Sequence, residues 1–143
     1  MNILKPKNII TKEFNNELFG ANILATRDQL DEDGMYNDVA ENIGIESIRY
    51  PGGSLTKHYF DLTNPDNSKV IDINLGQPLD FLYYSEFINY AEDTGKSVTI
   101  VLPRQKYFSQ QVDANGNRFA QIDEDPLRGF MRDTLDGIYG TPS

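Results

Sequence analysis

Apolar positions along the chain fall into short blocks whose spacing alternates between that of a strand and that of a helix. Leu18–Ala25 is an apolar run broken only by Gly20 and Asn22 and followed by the charges of Arg27 and Asp28, the pattern of a buried first strand. An acidic, turn-rich loop from Asp28 to Gly34 comes next. Tyr36, Val39, Ala40 and Ile43 then recur at helical spacing, which predicts a helix that Gly44 stops. Ile45–Tyr50 alternates apolar and polar positions and runs into Pro51-Gly52-Gly53, so it reads as a second strand ending in a glycine-rich loop. A helix between two strands implies a crossover, and a crossover implies that the strands are parallel.

The second half repeats the alternation. Residues 61–78 are rich in Asn, Asp, Pro and Ser, with an apolar patch at Val70, Ile71 and Ile73 that predicts a hairpin-like excursion within a long loop over 51–78. Leu79–Lys96 places Phe81, Leu82, Tyr84, Phe87, Ile88 and Ala91 on one helical side and closes at Thr94-Gly95-Lys96. Ser97–Pro103 is β-branched and stops at proline, as a third buried strand does. A second long loop, 103–124, contains the turn signal Asp113-Ala114-Asn115-Gly116-Asn117. Asp125 as N-cap and Pro126 as first helical residue then open a last helix with Leu127, Phe130, Met131, Leu135 and Ile138 on its apolar side. The expected fold class is α/β, three β/α units with parallel strands. That pattern suits either a small three-layer sandwich or the first part of a TIM-type (β/α)8 barrel. In both, ligand chemistry sits in the loops that follow the strands' C-terminal ends.

Length and charge narrow the picture. A chain of 143 residues is expected to form a single domain over 1–143. Twenty-two acidic against 13 basic residues give a net charge of −9, which repels phosphate backbones and anionic lipid, so nucleic acid is excluded as the expected partner. No apolar stretch reaches the roughly 18 residues of a membrane span. The start, Met1 to Lys7, carries positive charge without the following apolar run of an N-terminal signal peptide. The absence of cysteine removes disulfides, thiolate metal sites and cysteine nucleophiles.

Most candidate groups have plain structural readings. His58 is the only histidine, so no imidazole-rich metal site is expected. Asp113, Asn115 and Asn117 have the spacing that opens a calcium loop, but Arg118 stands where the sharp-turn glycine belongs. Asp28, Asp31, Glu32 and Asp33 read as a solvated acidic loop. Neither a metal nor a cofactor is expected. Loop aromatics Tyr59, Phe60, Tyr107, Phe108 and Phe119 are of the kind that stacks on sugar rings or fills a protein interface.

One motif points further. Arg49-Tyr50-Pro51-Gly52-Gly53-Ser54 sits where the second strand becomes a loop, and its glycines allow backbone to approach a ligand closely. It resembles the Arg-Tyr-Pro-Gly-Gly-Asn segment of arabinofuranosidase-like retaining glycoside hydrolases, which are (β/α)8 barrels. The likeness extends loosely over Phe19-Gly20-Ala21-Asn22, Ile45–Ser54 and Ser97–Pro103. Ser47–Asp66 and Phe130–Gly140 are also similar to barrel portions of large secreted bacterial polypeptides with calcium-binding repeats, which makes an extracellular or surface setting the expectation. By this resemblance Arg49 would support the nucleophilic carboxylate, which suits a guanidinium because it favours the ionised form and fixes its rotamer. Asn22, Arg49, Tyr50, Gly52, Gly53 and Ser54 would line the substrate side, with Ser54 replacing the family's sugar-contacting Asn.

A retaining mechanism needs two carboxylates roughly 5 to 5.5 Å apart. The resembling family draws them from its fourth and seventh strands, the acid/base in an Asn-Glu pair. Here the Asn-Glu pair is Asn16-Glu17, before the first strand, and none follows the third. The resemblance therefore implies a barrel fragment that is not catalytic alone, with no catalytic residue among these 143 and with carbohydrate, the remaining barrel segments or another subunit as partners. The alternative is a structural or attachment module of a virion or cell-surface assembly on the same scaffold.

Overall fold

The computed structural model describes residues 19–30, 34–107, 111–117 and 123–141. Leu18, Asn16-Glu17, Asp31, Glu32, Asp33, Phe108, Phe119 and Arg118 lie outside them. Three strands, β1 (Gly20–Asn22), β2 (Ser47–Tyr50) and a later β5 (Ser97–Ile100), form a wholly parallel sheet in the order β1-β2-β5. The expected α/β class with parallel strands is thus present. Helix α1 (Tyr36–Asn42) links β1 to β2 and ends at Gly44, whose φ of 72° is the left-handed turn that glycine allows.

The loop over 51–78 is more structured than the sequence reading expects. It opens with a short helix, α2 (Gly53–His58), and contains β3 (Lys69–Ile71), which pairs antiparallel with β4 (Pro78–Asp80). The hairpin-like excursion is there. α2 escapes periodicity because six residues make less than two turns. The long helix α3 spans Tyr84–Thr94, not Leu79–Lys96. Leu79 and Asp80 are taken by the ladder with Val70 and Lys69, and the Glu86 carboxylate accepts a hydrogen bond from the Tyr83 amide at 3.2 Å, setting the helix start there. Gly95, at φ 66°, closes α3 as expected. The last helix, α4 (Glu124–Leu135), is capped by Asp123 rather than Asp125: the Asp123 carboxylate accepts from the Asp125 amide, which places Pro126 in the third helical position.

Strand alternation divides the sheet into two unlike faces. Ile23, Ile48 and Tyr50 are fully buried beneath α3, whose Phe87, Ile88 and Ala91 have no exposed surface, and α1 adds Ala40 to the same core. Tyr36 of α1 meets Tyr90 of α3 edge-on, and Tyr84 of α3 packs against Phe130 of α4 at 5.1 Å. The order of these contacts makes a helix layer α1-α3-α4 over one side of the sheet. Tyr50 is the hub, with its ring 4.9 Å from Phe87, 5.3 Å from Phe60 and 5.7 Å from Tyr84. Such pairs contribute about 0.5–1.5 kcal/mol each beyond their buried area.

The apolar sides of the outer helices are only partly covered. Val39 of α1 and Ile43 just after it, and Met131, Leu135 and Ile138 in and just after α4, are exposed, as the open apolar helix faces of a three-unit α/β fragment would be. Between helices and sheet, Lys96 is buried and its ammonium donates to the Glu41 carboxylate at 2.7 Å and to the Ile45 carbonyl at 3.1 Å, joining the start of β5 to the end of α1. Among the described residues no helix is long and apolar enough to cross a membrane.

Candidate functional site

Because Ile48 and Tyr50 point into the core, Arg49 leaves β2 on the opposite face. Parallel register pairs Arg49 with Asn22 on β1 and with Thr99 on β5, so the three side chains form a row on one face with about 4.8 Å between neighbours. The row below it is Gly20, Ser47 and Ser97. Asn22, Gly20 and Thr99 are exposed and Arg49, Ser47 and Ser97 half-buried. The face is therefore open, polar and small-residued, with a single charge. Parallel sheets ordinarily bury both faces and read apolar on both. A hydrogen-bonding face that no described element covers, beside the strands' C-terminal ends, is where ligand chemistry is expected.

The glycine-rich loop closes one end of this face. Gly52 has φ 93°, and a Cβ there would lie 2.6 Å from the Ile23 carbonyl oxygen, so both its conformation and its surroundings require glycine. A ring of hydrogen bonds holds the loop: Ala25 N–H donates to the Pro51 carbonyl at 3.2 Å, Leu82 N–H to the Ala25 carbonyl at 2.7 Å, and the Tyr50 hydroxyl to the Leu82 carbonyl at 2.7 Å. The Tyr50–Pro51 peptide bond is cis. Gly53 and Ser54 are exposed in the first turn of α2.

Of the residues proposed from sequence, Asn22 and Arg49 are brought together, and Gly52, Gly53 and Ser54 follow at the adjoining edge. Tyr50 is not among them. Its side chain is fully buried on the helix face, where burial holds its hydroxyl protonated well above the usual range, so it supports the loop from behind. Thr99 was missed. Matching the alternation of Ser97-Val98-Thr99-Ile100 to that of Ser47–Tyr50 would have set it beside Arg49.

Arg49 carries the charge of the two rows. Its Nε is buried without a hydrogen-bond partner, and among the described residues no carboxylate forms an ion pair with it; the ion pairs run instead through Lys96, Lys106, Arg128 and Arg132. An unpaired, partly desolvated guanidinium is costly.

Other candidates resolve into structure. Asp113 accepts from the Asn115 and Asn117 amides and from the Asn117 side chain, a self-contained turn that holds its carboxyl below the usual range. His58 lies exposed at the end of α2. Phe60 is core, Tyr59 accepts from the Ile73 amide, and Tyr107 accepts from the Leu62 amide while donating to Asp61. Asp61 is drawn two ways: burial raises its pKa, and hydrogen bonds from Thr63 and Lys106 outweigh it, holding the carboxyl at about 2. A cleft of about 600 Å³ opens between the 25–30 loop and α3, with Asp80, Asp93 and Tyr83 on its walls. Two more of its carboxylates already cap backbone, Asp28 at Leu24 and Glu86 at Tyr83. No cluster of three metal-ligating side chains occurs among the described residues. Set beside known proteins, the chain matches no family model, no curated protein and no solved structure.

Proposed function

We propose that the chain forms the opening β/α units of a barrel of the retaining-glycosidase type. In this reading the row Asn22, Arg49 and Thr99, with Gly52, Gly53 and Ser54, is one wall of a carbohydrate-binding groove. The observation that carries it is the open polar face of a sheet whose strands follow chain order β1-β2-β5. A sheet that never reverses its winding keeps its crossover helices on one side and curls toward closure, leaving the other face to line an interior. Carboxamide, guanidinium and hydroxyl groups side by side offer the donors and acceptors that a sugar's hydroxyls need. The wall carries no carboxylate pair, so its work is binding and orientation, and bond cleavage waits on carboxylates from other segments.

Titration of the 143-residue chain with neutral and acidic oligosaccharides, followed by amide NMR, tests this. Shifts should gather at Asn22, Thr99, Gly53 and Ser54 and weaken in Asn22→Ala, without hydrolysis of any substrate. Absence of binding across the panel, or shifts confined to another surface, would sink the reading. A second reading, a scaffold or attachment module, draws on the exposed Met131, Leu135 and Ile138, which a further β/α unit or a protein partner would cover equally well. A stable protein complex with the polar row left free would favour it.

A further inference from the structure

We infer that the ligand of the Asn22–Arg49–Thr99 wall carries a carboxylate, making acidic sugars, uronic acids in an oligosaccharide, the preferred class. The inference rests on the carbohydrate reading above and goes beyond it by naming the substrate class. Arg49 presents the only charge in the two rows of the open face, the others being Gly20, Asn22, Ser47, Ser97 and Thr99. Among the described residues no carboxylate pairs with its guanidinium, in a chain that has a surplus of carboxylates. A neutral hydroxyl would satisfy the geometry of one N–H, but not the charge.

A carboxylate satisfies both, because the guanidinium edge offers two parallel N–H donors that match its two oxygens. Asn22 on one side and Thr99 on the other then hold ring hydroxyls, which fixes which way round the sugar lies. The net charge of −9 repels anions at long range, but screening confines that repulsion to about 8 Å at physiological salt, so the local cation governs the bound state.

Isothermal titration of the chain with trimers of galacturonate, glucuronate and mannuronate, each beside its neutral methyl ester, reads the preference directly. Acetate serves as an anion without a sugar, and neutral oligosaccharides are included. At least one acid should bind about tenfold or more tightly than its ester, the strength expected of a charge-assisted pair, and the margin should shrink as salt rises. Arg49→Met should reduce the ratio to about one, while Asn22→Ala weakens acid and ester alike. If Arg49→Met does not fold, the acid-to-ester ratio and its salt dependence in the unmodified chain still decide. Equal binding of acid and ester, or acetate that competes as well as the uronates, would overturn the inference and leave the carbohydrate reading standing. No binding of any sugar, neutral or acidic, would remove the carbohydrate reading and this inference together.

Discussion

Replacing Gly52 by alanine tests the physical basis of the glycine-rich loop. Two costs add at this position. A φ of 93° is outside what an L side chain adopts readily, at about 1–3 kcal/mol. The new methyl would also sit 2.6 Å from the Ile23 carbonyl oxygen and 3.0 Å from Leu24 Cδ2, and the first of these is backbone that must move. Together about 3 kcal/mol is expected. Gly53 next door supplies the control, since its φ is 38° but a Cβ there meets nothing within 4 Å, so Gly53→Ala should cost only about 1 kcal/mol. With a urea slope of about 2 kcal/mol per molar, the midpoints should fall by about 1.5 M and about 0.5 M respectively. Urea denaturation followed by circular dichroism reads both. Equal shifts, or a larger one for Gly53→Ala, would refute the argument that close approach to the Ile23 carbonyl is what demands glycine at position 52.

Other outcomes follow from the same geometry. Tyr50→Phe keeps the ring contacts but leaves the part-buried Leu82 carbonyl without its donor, and should cost about 1 kcal/mol by thermal or urea unfolding; a neutral change would mean that water replaces the hydroxyl. Asp61 ionises more easily folded, at about 2, than at its ordinary 3.8, so its stabilising contribution is present above about pH 4 and lost as pH falls toward 2. Asp61→Asn should flatten the stability profile across that window in acid titration, and an unchanged slope would count against the Thr63 and Lys106 bonds. Lys96→Met keeps an apolar stem in a buried place and should change stability by less than about 1 kcal/mol. Glu41→Gln leaves the buried ammonium without its counter-charge and should cost more, about 1–2 kcal/mol given that Glu41 is more than half exposed; the reverse ranking would refute this account.

Much of the architecture was legible because it is written in local periodicity. The parallel sheet follows from the crossover between Leu18–Ala25 and Ile45–Tyr50, and Gly44 and Gly95 mark two helix ends by conformation alone. What stayed hidden depends on partners distant in sequence. Leu79 and Asp80 fit a helical pattern locally, yet Val70 and Lys69 claim them for a hairpin. Asp123 and Asp125 are equivalent caps on paper, and only the turn geometry separates them. Met131, Leu135 and Ile138 carry the period of a buried face, which shows that an apolar stripe records a need for cover without saying what covers it. For the polar row, the motif singles out Arg49 and the looser likeness at Phe19–Asn22 singles out Asn22, whereas placing Thr99 beside them needs the register of a third strand.

The three hydrogen bonds that run Tyr50 to Leu82, Leu82 to Ala25, and Ala25 to Pro51 close a circuit through segments far apart in the chain. A circuit of this kind opens as a unit. The amides of Ala25 and Leu82, separated by most of a crossover and a hairpin, should share one opening free energy in hydrogen exchange, and one slow clock with it. The glycine-rich edge then behaves as a fixed plate, clamped from two sides, at the end of the open face.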